Sequence, residues 1–116
     1  MTPLNPGTAA DAAGVSLAHE PLPASDIRAG TPSAGALELG AFGGAELGVW
    51  EMTPGVAADV ESDEVFVVLS GRARIEFESP ALPSVDIGPG SVMRLASGMR
   101  TVWTVTETLR KVYLTR

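Results

Sequence analysis

The strongest constraint on the fold is a short apolar run that begins directly after an acidic residue. Residues 63–71 read DEVFVVLSG, so five apolar side chains separate Glu64 from a Ser-Gly pair. A run of this length, rich in β-branched and aromatic residues, predicts a strand buried on both faces. Burying an unpaired carboxylate costs free energy, so we expect Glu64 to have a ligand, a partner, a proton or access to water.

Turn signals in the rest of the chain predict an all-β fold. From Gly35 onward they recur every few residues, the spacing typical of a β-sandwich or barrel. Residues 72–78 alternate between apolar and charged side chains, which predicts an antiparallel strand with one solvated face. We interpret Ser70-Gly71 as the turn before that strand. The predicted strands are 36–42, 45–52, 64–69, 72–78, 85–87, 91–96, 100–105 and 109–115.

The segment before these strands has a different composition. Residues 1–35 hold five of the nine prolines and few large apolar side chains. This pattern predicts an irregular N-terminal arm, with weak strand character at 15–17, followed by a domain at 36–116. The arm has no signal-peptide pattern, and no apolar run approaches the about 20 residues of a membrane span. We therefore expect a cytoplasmic protein.

Composition narrows the classes of partner. The 116 residues are 45% hydrophobic and carry a net charge of −6. Such a chain fits one globular domain, and its acidity argues against nucleic acid or an anionic membrane as partners. The absence of cysteine excludes a thiolate nucleophile and a cysteine-zinc site. The single histidine, His19, lies between prolines and is expected to be an exposed loop residue.

Two glycine-anchored spacings carry a resemblance to a known superfamily. Glu64 is followed after six residues by Gly71, and Gly90 is followed after five residues by Ala96 and then by Gly98. These spacings resemble the two signature motifs of cupins, with Ala96 where that pattern usually has proline. The glycines would lie at sharp corners with positive φ or close backbone approach. The resemblance implies a small antiparallel β-barrel or jelly roll of the cupin (RmlC-like) kind.

Longer segments resemble one branch of that superfamily. They are GVWEMTPG (48–55), DEVFVVLSGRARI (63–75), GPGSVMRL (88–95) and TVWTVTETLRKVYL (101–114). They are similar to small single-domain cupins related to the ureidoglycine aminohydrolase cupin domain. Members of that branch are mostly of unknown function, so the resemblance implies a fold more than an activity.

The metal ligands of that pattern are mostly missing. Metal-binding cupins use two histidines before the glutamate and a third after the second motif. The corresponding positions here are Ala58, Val60 and Thr101, so only Glu64 remains of four ligands. A transition-metal site of that type requires imidazoles. We therefore predict no metal and no other cofactor in the barrel.

The acidic run 59–64 is a second place to look for a cation. Its carboxylates are oxygen ligands of the kind that Mg²⁺ and Ca²⁺ prefer. In an extended segment, however, Asp59, Glu61 and Asp63 face away from Glu64. We therefore interpret these three carboxylates as a solvated outer rim.

The barrel interior is the candidate functional site. Strand alternation places Phe66 and Val68 on the same face as Glu64, and the cupin pattern places Thr101 and Trp103 on an inner face. Such a largely apolar pocket with a few polar groups is typical of small-molecule sites. In the alternative, Glu64 only hydrogen-bonds Thr101, a tyrosine or backbone amides, and the aromatic residues are core. The candidate ligand-binding residues are Trp50, Glu64, Phe66, Val68, Thr101, Trp103, Val105 and Tyr113.

Four basic residues are potential partners of Glu64 or of a ligand. Neither Arg94 nor Arg100 is placed by spacing to balance the charge of Glu64. Arg110 and Lys111 are candidates to hold a carboxylate ligand, although we expect Arg110 to pair with Glu107 on the surface instead.

Two functional hypotheses follow from these features. The first is a metal-free module that binds a small metabolite in the barrel. The second is a metal-free enzyme, aminohydrolase-like or isomerase-like, that acts on a small nitrogenous or carbonyl metabolite with Glu64 as general acid or base. An accessory subunit without a ligand is the remaining alternative. Because Val65, Val67 and Leu69 need a second apolar cover, we also expect a homodimer.

Overall fold

A computed structural model describes residues 4–116, and this part of the chain is all β. Its strands are paired antiparallel, which confirms the predicted fold class. Within that range no helix is present that could cross a membrane. The strands are β1 (Glu20–Pro21), β2 (Ile27–Ala29), β3 (Ser33–Phe42), β4 (Ala45–Met52), β5 (Gly55–Val60), β6 (Glu64–Ser79), β7 (Val85–Ile87), β8 (Val92–Leu95) and β9 (Arg100–Thr115).

Strands β6 and β9 form the spine of the molecule. Each has 16 residues, and the two pair antiparallel along their length. The other edge of β9 pairs with β5 at residues 100–105 and with β4 at residues 109–115. The other edge of β6 pairs with β8 and then with β7. The sheet curls into a half-barrel whose inner face carries the core.

The predicted turn at Ser70-Gly71 is wrong, because β6 continues through it. The pairing with β9 shifts register at this point, so the strand bends without ending. Gly71 has φ 89°, and a Cβ there would collide with the backbone carbonyl of Thr108 on β9. The glycine therefore permits a close approach of two long strands. In the same way, the two predicted strands at 100–105 and 109–115 are one strand, and β5 was not among the predicted strands.

The inner face carries the side chains that strand alternation places there. Phe66 and Val68 of β6 and Trp103 and Val105 of β9 are all buried in one hydrophobic cluster. The alternate residues Val65 and Val67 face outward, where they remain 39% and 37% exposed.

The N-terminal arm is more ordered than the sequence predicts. Strand β1 pairs with β3, and β2 pairs with β5, so the arm adds a short strand to each of two places on the sheet. The weak strand character predicted at 15–17 is wrong, since those residues are outside any strand. The arm thus lies against the sheet of its own chain.

Candidate functional site

A cavity of about 220 Å³ opens on the inner face of the half-barrel. Strands β4, β5 and β9 and the start of β6 supply most of its walls, and the β5–β6 connection and the N-terminal arm supply the rest. The cavity combines aromatic and aliphatic side chains with six polar ones. Its lining residues are Leu22, Asp26, Trp50, Met52, Ala57, Ala58, Asp59, Glu61, Glu64, Trp103, Lys111 and Tyr113.

A buried ion pair lies in this cavity. Lys111 Nζ donates a hydrogen bond to Glu64 Oε2 at 2.6 Å, and the two side chains are only 7% and 14% exposed. The same ammonium lies 4.4–4.9 Å from the ring centroids of Trp50, Phe66 and Trp103. Cation–π attraction and the carboxylate together offset the cost of removing this charge from water.

The expectation that no cation balances Glu64 is therefore wrong. Lys111 lies eight residues after Trp103 on the same strand, and Trp103, Lys111 and Tyr113 all line the cavity. Extending the alternation from Trp103 along β9 places every second residue inside. From the sequence, Lys111 is a candidate to hold a carboxylate ligand, but it is not identified as the partner of Glu64.

Glu61 is the second carboxylate of the cavity, and the prediction of a solvated rim is wrong for it. The residue is only 8% exposed. Its Oε2 accepts hydrogen bonds from Thr101 Oγ1 at 2.6 Å and from Trp103 Nε1 at 2.9 Å. Thr101 is therefore a partner of Glu61 and not of Glu64.

The inward orientation of Glu61 has a backbone cause. Strand β5 ends at Val60 with Asp59 facing the cavity, and Glu61, two residues after Asp59, continues that alternation although it lies outside the strand. The Glu61 N–H donates to Met99 O at 2.8 Å, and the Glu61 carbonyl accepts from the Gly98 N–H at 2.9 Å. These bonds anchor Glu61 against the β8–β9 connection, and the change of face falls after it, before Glu64.

Asp59 borders the cavity beside Glu61. Although the residue has exposed surface, its carboxyl is crowded by protein atoms, and this burial, followed by repulsion from Glu61, raises the pKa of Asp59 to about 6. Asp63 lies outside instead, where it pairs with Arg94 at 3.4 Å. The acidic run is thus divided between the cavity and the surface.

Tyr113 forms one wall of the cavity. Its hydroxyl donates to Glu46 Oε2 at 2.7 Å. Burial, with further contributions from Glu46, raises the pKa of Tyr113 above its ordinary value. Its ring packs on Gly48 of β4, where any Cβ would collide with it. The tyrosine is therefore held in place from both ends.

The structure distributes the predicted site residues over two layers. Trp50, Glu64, Trp103 and Tyr113 line the cavity. Four others lie behind that lining: Phe66 under Lys111, Thr101 behind Glu61, and Val68 and Val105 in the core. Sequence reasoning missed Leu22, Asp26, Asp59, Glu61 and Lys111.

Arg110 has a different role from the one predicted. Its Nε donates to Glu51 Oε2 at 2.7 Å, not to Glu107. Its Nη1 donates to the backbone carbonyls of Ala12 at 3.0 Å, Ala13 at 3.2 Å and Val15 at 2.6 Å. Arg110 therefore ties the N-terminal arm to β9.

Glu51, the partner of Arg110, also contacts the histidine of the arm. His19 Nε2 lies 2.8 Å from Glu51 Oε1, so the histidine of the exposed loop has a specific partner. Burial alone would raise the pKa of Glu51, but Arg110 and then His19 hold it below its ordinary value. Glu51 thus joins two parts of the arm to the sheet as a carboxylate.

The residues present do not fit the metal of the histidine-bearing cupins. Ala58 and Val60 have no ligating atoms, and the hydroxyl of Thr101 is bonded to Glu61. Glu64, the remaining ligand position, is bound by an ammonium at 2.6 Å. In residues 4–116 no group of three or more His, Asp or Glu side chains is arranged to hold a metal ion.

Solved structures share this fold at low sequence identity. A protein of unknown function of the DUF861 family from Pseudomonas syringae pv. tomato is 22% identical, with a TM-score of 0.73 over 89% of this chain and 45% of that one. A protein of unknown function (DUF1255) from Acidithiobacillus ferrooxidans is 20% identical, with a TM-score of 0.60 over 91% and 98% of the two chains. The EutQ protein of Clostridium difficile is 18% identical, with a TM-score of 0.60 over 72% and 62%.

These likenesses establish the fold and no particular chemistry. No curated protein sequence matches the chain. The model of one protein family, however, matches residues 39–113, from β3 to near the end of β9, and its description is the EutQ-like cupin domain. The predicted resemblance to cupins is confirmed at this level, and the chain belongs to the family of EutQ-like cupin domains.

Proposed function

We propose that this protein binds a small molecule in the cavity of the half-barrel. The observation that carries the proposal is the convergence of polar groups on a largely aromatic and aliphatic cavity. At about 220 Å³ the cavity is smaller than the about 300–1,000 Å³ of drug-sized sites, which favours a ligand of metabolite size.

The polar groups are held in position without a ligand, which supports a binding role. Glu64 and three aromatic rings fix the ammonium of Lys111. Thr101 and Trp103 fix the carboxylate of Glu61. Groups ordered in advance lose little conformational entropy when a ligand arrives, so more of each contact appears as affinity.

A matched pair of variants tests the proposal. Small amines, amides and carboxylic acids are screened by NMR for binding that shifts the indole N–H signal of Trp103. Glu64→Gln should change the affinity of the best compound by about tenfold or more, because it leaves the ammonium of Lys111 in the cavity without its carboxylate partner, and a hydrogen bond to a charged group contributes about 1.5–3 kcal/mol. Glu76→Gln is the control, since Glu76 lies exposed on the same strand. Equal affinity in both variants would contradict the proposal.

Acid–base catalysis in the same cavity is a second candidate, favoured by the carboxyl of Asp59. Its pKa, raised to about 6 by burial and by Glu61, lets it gain or lose a proton near neutral pH. Glu64, predicted as the acid or base, is bound to Lys111 at 2.6 Å, so Asp59 takes this role in the proposal. The resemblance to ureidoglycine aminohydrolase-type cupins supports a nitrogenous substrate.

Turnover distinguishes the two candidates. If the cavity is catalytic, compounds that bind should be converted, and Asp59→Asn should slow the conversion of bound compound, measured at saturation, by about 100-fold or more. Conversion that is unchanged in Asp59→Asn would contradict the catalytic candidate. Binding without conversion would favour the binding module.

A further inference from the structure

We infer that the ligand of this cavity is a small organic cation, such as a protonated amine or an amidinium, whose charged group binds between Asp59 and Glu61. The inference rests on the proposed function and specifies the class of ligand. It follows from the charges of the lining, from a free acceptor on Glu61, and from the way Lys111 is already held.

The charge of the lining is the first observation. Four carboxyl side chains border the cavity, against a single ammonium. Lys111 is paired with Glu64, while Asp26, Asp59 and Glu61 form no ion pair within residues 4–116. Several negative carboxylates in a partly enclosed site attract a cation and repel an anion. The low local dielectric strengthens both effects.

The free oxygen of Glu61 is the second observation. The side chain is more than nine-tenths buried, yet only Oε2 accepts hydrogen bonds within the described part of the chain. A carboxylate has about four acceptor positions on its two oxygens, so Oε1 remains open to a donor. Because Glu61 lines the cavity, an N–H group of a bound ligand is placed to donate to it.

The partners of Glu61 supply hydrogen bonds but no positive charge. Thr101 donates a hydroxyl proton and Trp103 an indole proton, and both donors are neutral. Asp59 interacts with the same carboxyl by repulsion and by hydrogen bonding. A cation between the two carboxyls would convert that repulsion into two attractive contacts.

The third observation concerns the aromatic rings. Trp50, Phe66 and Trp103 surround an ammonium already, that of Lys111, at 4.4–4.9 Å. The positive group of a ligand therefore goes to the free carboxylates and not to an empty aromatic cage. An anionic ligand would have to compete with Glu64 for Lys111 and would face the charges of Asp59 and Glu61.

Three probes of equal size and different charge test the inference. Butylamine, butanamide and butyrate are titrated into the full chain at about pH 7.5, where an alkylamine is protonated. We expect butylamine to bind at least about tenfold more tightly than the other two, as one charge-assisted hydrogen bond suffices for this ratio. The indole N–H signal of Trp103 should move during the titration.

Variants locate the charge on the protein. Asp59→Asn and Glu61→Gln should each weaken butylamine about tenfold or more and leave butanamide unchanged. Glu76→Gln, on the exposed face of β6, should leave all three probes unchanged. If Glu61→Gln fails to fold, Asp59→Asn still decides, because Asp59 lies partly exposed. Below about pH 6, butylamine should also bind more weakly, because Asp59 is then protonated.

Several outcomes overturn the inference. Butyrate or butanamide binding as tightly as butylamine would do so, as would butylamine binding that leaves the Trp103 signal in place. If neutral or anionic compounds alone enter the cavity, the cation inference fails while the proposed function stands. If no compound of any charge enters the cavity, both fail.

Discussion

Arg110 and Lys111 are neighbours on β9 and face opposite sides of the sheet. Each is almost fully buried, with 8% and 6% exposure. Each pairs with a glutamate, Arg110 with Glu51 at 2.7 Å and Lys111 with Glu64 at 2.6 Å. By charge, burial and partner type the two sites are nearly equivalent.

Their remaining contacts separate them. Lys111 is otherwise surrounded by aromatic rings, whereas Arg110 also donates to three backbone carbonyls of the N-terminal arm. An ammonium is a compact point charge that fits an aromatic enclosure, and a guanidinium is a planar fork that reaches several acceptors. The inner cation therefore neutralises one carboxylate of the cavity, and the outer cation fastens the N-terminal arm to β9.

The largest effect is expected from removing the inner cation. Lys111→Met should lower the free energy of unfolding by about 3–5 kcal/mol, because it leaves the carboxylate of Glu64 buried without a partner. Chemical denaturation followed by tryptophan fluorescence measures this change.

The double variant Lys111→Met with Glu64→Gln is the control for that prediction. It removes both charges and should recover much of the lost stability, since an unpaired buried charge costs more than the pair contributes. A single and a double variant of equal stability would show that packing, and not the charge of Glu64, makes Lys111 important.

A smaller effect is expected at the outer cation. Arg110→Lys keeps the charge beside Glu51 but loses the fork, so it should cost about 1–3 kcal/mol from the lost carbonyl contacts. Limited proteolysis within residues 12–17 should become faster. Arg72→Lys is the matched control, because its pair with Glu107 is exposed on both sides. An arm that stays equally protected would contradict the fastening role of Arg110.

The cavity carboxyl Asp59 should have a weaker, pH-dependent effect. Burial and Glu61 raise its pKa from 3.8 to about 6, so the folded state holds the proton more tightly than the unfolded state between these values. Its contribution to stability is therefore present at low pH and is lost as the pH rises through this window. Asp59→Asn should abolish this pH-dependent loss of stability, because an asparagine side chain does not titrate.

At neutral pH the free energy of unfolding of Asp59→Asn is expected to exceed that of the parent protein by about 1 kcal/mol or less, because solvent screens a residue with this much exposure. Thermal unfolding of both proteins between about pH 4 and pH 7 measures it. Glu76→Gln controls for the loss of one carboxylate from the surface. A pH profile of Asp59→Asn that is parallel to that of the parent protein would contradict the assignment.

The smallest effect on the fold is expected on the outer face that the arm leaves open. Val49 on β4 is fully buried, with 0% exposure. By contrast, three outward valines on β6 and β8 keep much of their surface exposed: Val65 (39%), Val67 (37%) and Val92 (69%). We propose that a second copy of the chain covers these valines, as two-fold pairing is the commonest oligomer. Sedimentation at micromolar concentration should show a dimer, and Val67→Glu should dissociate it with little loss of monomer stability. A monomeric parent protein would refute the proposal.

Local patterns were sufficient to predict much of the fold. Alternation placed Phe66 and Val68 inside, and the glycine spacings indicated the positive φ found at Gly71, Gly90 and Gly98. The same alternation, continued past Trp103, would have found Lys111. These features depend on side chains and backbone within one strand or turn, so neighbouring residues contain the necessary information.

The candidate site depended on contacts that sequence patterns do not contain. Glu61 lies inside because it continues the alternation of β5, a strand that the sequence did not predict, and backbone bonds to the β8–β9 connection, about forty residues away, hold it there. Arg110 finds its partners in the arm, more than ninety residues earlier in the chain. By itself the sequence determined the all-β class, most of the strand positions and the absence of the cupin histidines. Only the tertiary structure decided which charges meet, because the two members of each pair lie on strands far apart in the sequence.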